Sequence, residues 1–134
     1  MKRVSFILLV FISVLAVSIS SCKKDKTPVP SLTFTETEGI ADNKGEFLLT
    51  GTILSEVQLE NVVLTKEGTV SPNLTIAGEA NTYNDNSTAK NKTEYVFAYQ
   101  IKGISANTYI VMDIYDQNGT KKTVKFLIKA YSGI

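Results

Sequence analysis

The sequence predicts an all-β domain, a single antiparallel β-sandwich of about seven short strands over residues 31–134, behind a targeting segment and a short linker. Three observations lead there. From Ser31 onward, β-branched and aromatic residues alternate with polar ones, the period at which a strand turns one face to a core and the other to water. Gly, Asn, Asp and Pro interrupt that alternation at short intervals, as turns between short strands require. No stretch is a convincing amphipathic helix. A chain of 134 residues has room for one domain. About seven strands without a helix are expected to pack as two sheets face to face, with a small β-barrel as the rival architecture.

The elements follow in order. Leu32 and Phe34 alternate with Thr33 and Thr35 in a short first strand. Phe47, Leu49, Gly51 and Ile53 share one face of the second, with Leu48, Thr50, Thr52 and Leu54 opposite. A third runs from Val57 to Lys66 on Leu59, Val62 and Leu64, and Glu67-Gly68 closes it. A weaker fourth covers Leu74 to Ala77, after the breaker Ser71-Pro72-Asn73. Gly78 to Lys92 is rich in Asn, Asp and Ser and reads as a long polar loop with room for a short edge strand; such a loop is expected to be functional or mobile. Tyr95, Phe97, Tyr99 and Ile101 then line one face of a strand, and Ile110, Met112 and Ile114 the apolar face of the next. Asp116-Gln117-Asn118-Gly119 supplies a hairpin turn, with Asn and Gly suited to left-handed backbone angles. Val124, Phe126, Ile128 and Ala130 complete the hairpin, which has one buried and one wet face.

The chain before Ser31 has a different character. Met1-Lys2-Arg3 gives a positive start, and Val4 to Ile19 is apolar apart from three serines. That run is a little short of the ~20 residues of a bilayer-spanning helix, and it ends in small residues, so it reads as a secretory signal peptide. The text Ile19-Ser20-Ser21-Cys22 resembles the lipobox of bacterial lipoproteins, with an aliphatic residue three before the cysteine and a small one just before it. The resemblance implies cleavage between Ser21 and Cys22, which removes residues 1–21, and acylation of Cys22. Several acyl chains at ~0.8 kcal/mol per buried CH₂ hold a protein on a bilayer stably. Residues 22–30 then form the lipidated cysteine and a linker: Lys23-Lys24-Asp25-Lys26-Thr27-Pro28-Val29-Pro30 reaches roughly 25 Å if extended at ~3.1 Å per residue. The expected location is the bacterial cell envelope, at the outer membrane, with its periplasmic and surface sides left open.

The stretch from Tyr109 through Asp116-Gln117-Asn118-Gly119 to Ile128 resembles the last hairpin of immunoglobulin-like domains in bacterial envelope proteins. Together with the Cys22-Lys23-Lys24-Asp25 start, the chain is similar to the small immunoglobulin-like lipoproteins of Bacteroidota. That similarity implies an immunoglobulin-like sandwich on a lipid anchor. The chain departs from the antibody pattern in having no inter-sheet cysteine pair and no Trp.

Reactive side chains are few. There is no His and only one Cys, which removes the usual hydrolytic triads, thiol catalysis away from Cys22 and most zinc sites. Asp113 and Asp116 stand three apart on a strand and point to opposite faces, while Glu36 and Glu38 share a solvated edge, so neither pair suggests acid–base chemistry. Asp116-Gln117-Asn118-Gly119 looks like a fragment of a calcium loop but lacks the completing acidic ligand, and it reads as a turn. No catalytic residue, metal or cofactor is expected. From Cys22 onward there are 12 Lys, no Arg and 13 acidic residues, which offers nucleic acid neither a basic surplus nor its usual base-edge reader.

Two function classes remain. In one, the domain is a non-catalytic protein-interaction or structural module of the envelope, working through an exposed strand edge or the Gly78–Lys92 loop. In the other, it is a glycan-binding accessory lipoprotein of a polysaccharide-uptake system. The candidate ligand-contacting residues are Tyr109 and Tyr115, on the face opposite Ile110 and Met112 and bordered by Lys125, and Tyr83 in the polar loop. The expected partners are the bilayer, through Cys22, and an envelope protein or glycan.

Overall fold

The structure is a computed structural model that describes residues 27–133. The expected signal segment, the Ser21–Cys22 junction and the linker up to residue 26 lie outside the described residues. In chain order the strands are β1 (Ser31–Phe34), β2 (Gly39–Ile40), β3 (Phe47–Leu54), β4 (Leu59–Lys66), β5 (Thr75–Ile76), β6 (Glu79–Ala80), β7 (Thr82–Asp85), β8 (Glu94–Lys102), β9 (Thr108–Asp116) and β10 (Lys121–Lys129). They form two five-stranded sheets, ordered β1-β3-β8-β5-β6 and β2-β10-β9-β4-β7. Every pairing is antiparallel except that of β2 with β10. The fold is an all-β sandwich, as the alternation predicts.

Alternation decides what each strand buries. Leu49 and Ile53 of β3 meet Tyr95, Phe97, Tyr99 and Ile101 of β8 on the inner face of the first sheet, and Ile110, Met112 and Ile114 of β9 lie opposite with Phe126 and Ile128 of β10. Leu59, Val62 and Leu64 of β4 break a strict period of two, yet all three are buried. A bulge between Leu59 and Asn61 inserts one residue and returns the side chains to the core face. Aromatic rings join the layers: Phe34 and Phe47 of the first sheet lie 4.6 and 5.8 Å from Phe126 of the second. Gly51 leaves room for this packing, because a Cβ there would stand 2.6 Å from the Thr33 carbonyl oxygen and 2.7 Å from the Phe97 ring.

The β9–β10 hairpin closes through Asp116-Gln117-Asn118-Gly119, where Gly119 has φ +85°. Asp116 Oδ1 accepts the amides of Asn118 and Thr120, both at 2.9 Å, so the carboxylate holds the turn.

The stretch Gly78–Lys92 holds the short edge strand for which the sequence left room, and a second one besides. It contains β6 and β7, and β7 pairs along β4 from Val62 to Thr65. Two-residue strands such as β2 and β6 are too short to alternate, and β7 (Thr-Tyr-Asn-Asp) has one large ring among polar neighbours, so the apolar pattern does not mark them.

Candidate interaction surface

On β9 the inward residues Ile110, Met112 and Ile114 leave Tyr109, Val111, Asp113 and Tyr115 on the outer face of the second sheet. Cross-strand register places Leu127 beside Tyr109, Lys125 and Thr65 on either side of Val111, and Thr123 and Val63 on either side of Asp113. Tyr109 is 45 % exposed, and Lys125 Nζ lies 6.0 Å from its ring centroid. The same ammonium donates to Glu67 Oε2 at 2.8 Å, which raises the Lys125 pKa through that hydrogen bond and the attraction of the carboxylate. The Glu67 amide in turn donates to the Tyr109 carbonyl. The result is an aromatic ring beside an aliphatic residue and an ion pair, a combination suited to contact with a partner.

Tyr115 is half-buried and lies six residues along the same strand, about 20 Å away at ~3.3 Å per residue. Its own cation is Lys121, 6.0 Å from the ring. The structure therefore does not bring Tyr109 and Tyr115 into one patch, and Lys125 borders Tyr109 alone. Tyr83 is on strand β7 and not in a loop; its ring is half-buried, 5.9 Å from Tyr99, and packs against the core. Burial, with the charges of Asp85 and Glu79, raises its pKa. Asp113 faces outward and accepts from Thr123 Oγ1 at 2.6 Å, whereas Asp116 is buried; the two carboxylates do point apart.

A buried cluster that sequence reasoning did not find lies behind Tyr83. Asp85 is 1 % exposed. Its Oδ2 accepts from the Tyr95 and Tyr99 hydroxyls at 2.8 and 2.7 Å, and its Oδ1 from the amides of Thr88 and Ala89 at 2.9 and 3.3 Å. Burial alone would raise the Asp85 pKa, but the hydrogen bonds from Tyr99, Tyr95, Ala89 and Thr88 outweigh it and hold the carboxyl below its ordinary value. Tyr95 is pushed up to about 12, by burial first, and Tyr99 is raised further by burial and by its neighbours Tyr95 and Asp85. The signal was present in Tyr95 and Tyr99, because two hydroxyls on a core face each need a partner. Nothing in the sequence singled out Asp85 as that partner.

A shallow recess of about 430 Å³ opens on the first sheet, lined by Val29, Leu54, Ser55, Glu56 and Glu94, away from all three tyrosines. Among the described residues, no three His, Cys, Asp or Glu side chains gather as a metal site, and no helix is long and apolar enough to cross a membrane. No protein-family model matches the chain, and neither does any curated protein.

Proposed function

We propose that the chain is a lipid-anchored protein of the bacterial cell envelope whose immunoglobulin-like domain is a non-catalytic protein-interaction or structural module. The observation that carries this reading is the order of parts along the chain: a positive start, an apolar run, Ile19-Ser20-Ser21-Cys22, and a first strand that begins at Ser31, nine residues past the cysteine. A linker that short keeps the sandwich near the bilayer to which acylated Cys22 would hold it.

The strand order supports the immunoglobulin-like assignment. Strands β1, β3 and β8 lie side by side in one sheet and β10, β9 and β4 in the other, which matches the A-B-E and G-F-C order of such domains. The β5–β6 hairpin takes the place beside β8 but precedes β7 in the chain, and there the order departs. The interaction surface in this reading is the outer face around Tyr109, Leu127 and Lys125.

Labelling with radioactive fatty acid tests the anchor. Label enters the wild type and not the Cys22→Ala variant, and equal labelling of both overturns the reading. Glycan binding is the second reading, favoured by the exposed Tyr109 ring beside Leu127. A sugar chain touching both Tyr109 and Tyr115 would have to lie along β9. Saturable sugar binding lost in Tyr109→Ala, and in Tyr115→Ala for a long chain, would replace the interaction reading with this one.

A further inference from the structure

The outer face of the first sheet differs from that of the second. In β8 the outward residues are Glu94, Val96, Ala98, Gln100 and Lys102, so the face carries one charge of each sign at its two ends and none between. The adjoining outward positions of β3, from Leu48 through Thr50 and Thr52 to Leu54, are also uncharged. Val96 is 71 % exposed, and Leu48 and Leu54 are each about half exposed. Among the described residues nothing covers this uncharged, partly apolar sheet face, and a face of that kind invites a partner. The outer face of the second sheet, by contrast, carries charge between its ends, with Lys121, Asp113 and the Lys125–Glu67 ion pair spread along β9 and β10.

From this we infer that two copies of the chain pair face to face through β3 and β8, related by a two-fold axis that crosses β8 at Ala98. A closed homodimer needs a patch that complements itself. Rotation about an axis lying in the interface and running across the strands reverses β8, bringing Glu94 of each copy over Lys102 of the other and Ala98 over Ala98. Both ion pairs form at once, because Glu94 and Lys102 lie four residues to either side of Ala98 on the same face. Leaving the strands parallel would instead set Glu94 against Glu94 and Lys102 against Lys102. The charges thus fix the orientation, and the apolar residues between them supply the contact.

The same axis leaves the edge strand β1 of both copies on one side of the pair, so chains entering at Ser31 approach from one side. Two strands at ~4.8 Å spacing and eight residues at ~3.3 Å cover roughly 250 Å² per copy, about a third of a standard interface. The expected dimer is reversible and depends on concentration. This inference depends neither on the lipid anchor nor on what the Tyr109 face contacts.

Sedimentation equilibrium of the full chain in detergent tests it. The mass per particle should rise from one chain to two with concentration. Val96→Lys, at an exposed position the fold tolerates, should raise the dissociation constant at least tenfold. Glu94→Lys and Lys102→Glu should each weaken the dimer several-fold, and the double exchange should restore it, a rescue that leader or micelle association would not show. A chain that stays monomeric throughout leaves the face to another occupant and overturns the inference. So does a dimer indifferent to Val96→Lys, or one that the double exchange fails to restore.

Discussion

Asp85 and Asp116 are both buried carboxylates, yet their surroundings predict opposite responses to the same substitution. All the bonds to Asp85 come from donors: two hydroxyls on one oxygen and backbone amides on the other. Asp85→Asn puts an amide group where an oxygen met two donors, and should cost about 2–4 kcal/mol, since hydrogen bonds to a buried charge contribute about 1.5–3 kcal/mol. Asp116 uses Oδ1 for the turn, while its Oδ2 is buried with no partner among the described residues. Asp116→Asn keeps the turn through its side-chain oxygen and exchanges one buried polar atom without a partner for another, so stability should change by less than about 1 kcal/mol. Urea denaturation of the two variants checks the contrast. Equal losses would mean that the tyrosine hydroxyls are not what holds Asp85. Asp85 was illegible in the sequence because its partners lie 10 and 14 residues away on the other sheet, among several polar residues that look alike. Asp116 was legible as a turn residue because its bonds are local.

At the scale of elements, the long strands were readable, as were the short β1 and β5, whereas β2, β6 and the place of β7 were not. The buried faces of β3, β8, β9 and β10 follow from alternation, which needs several residues to declare itself. A two-residue strand has no period, and β7 belongs to its sheet through backbone pairing with β4 and one ring in the core. Tyr83 was consequently expected in a loop, whereas most of the polar stretch around it is exposed, as its composition suggests. Gly51 was readable only as a position on the buried face of β3. Its need to be glycine comes from β1 and β8 closing over it, with Thr33 and Phe97 too near for a Cβ. Gly51→Ala should therefore destabilise by about 1–3 kcal/mol through overpacking, even though alanine itself suits a strand no worse than glycine. Gly68→Ala is the control for a different cause: its Cβ would meet nothing, and its φ of +81° makes the penalty one of backbone strain. Thermal unfolding of Gly51→Ala at unchanged Tm would show that β1 moves aside freely.

At the scale of the molecule, the Asp85 cluster ties one sheet to the other. The carboxylate is carried by β7 of the second sheet and its hydroxyl partners by β8 of the first, while farther along the sandwich Phe126 meets Phe34 and Phe47 across the same gap. A tie between layers makes the pH response a property of the whole domain. The Asp85 pKa lies below its ordinary value of 3.8 in the folded chain. Its contribution to stability is therefore complete above about pH 5 and is lost as the pH falls through the lowered folded value. The tyrosines act at the other extreme. Tyr95 rises from 10.0 to about 12 on folding, so its contribution is whole below pH 10.0 and lost as the pH climbs through about 12. Folding stability should form a plateau bounded by both losses, and Asp85→Asn should flatten the acid side while lowering the plateau. Because the sheets share the group, acid unfolding should be a single transition, with tyrosine fluorescence and the β-type circular dichroism signal changing together. Fluorescence that changes at a higher pH than the dichroism would mean that the cluster opens while the sheets stay closed, and then Asp85 serves only the stretch from β7 to β8.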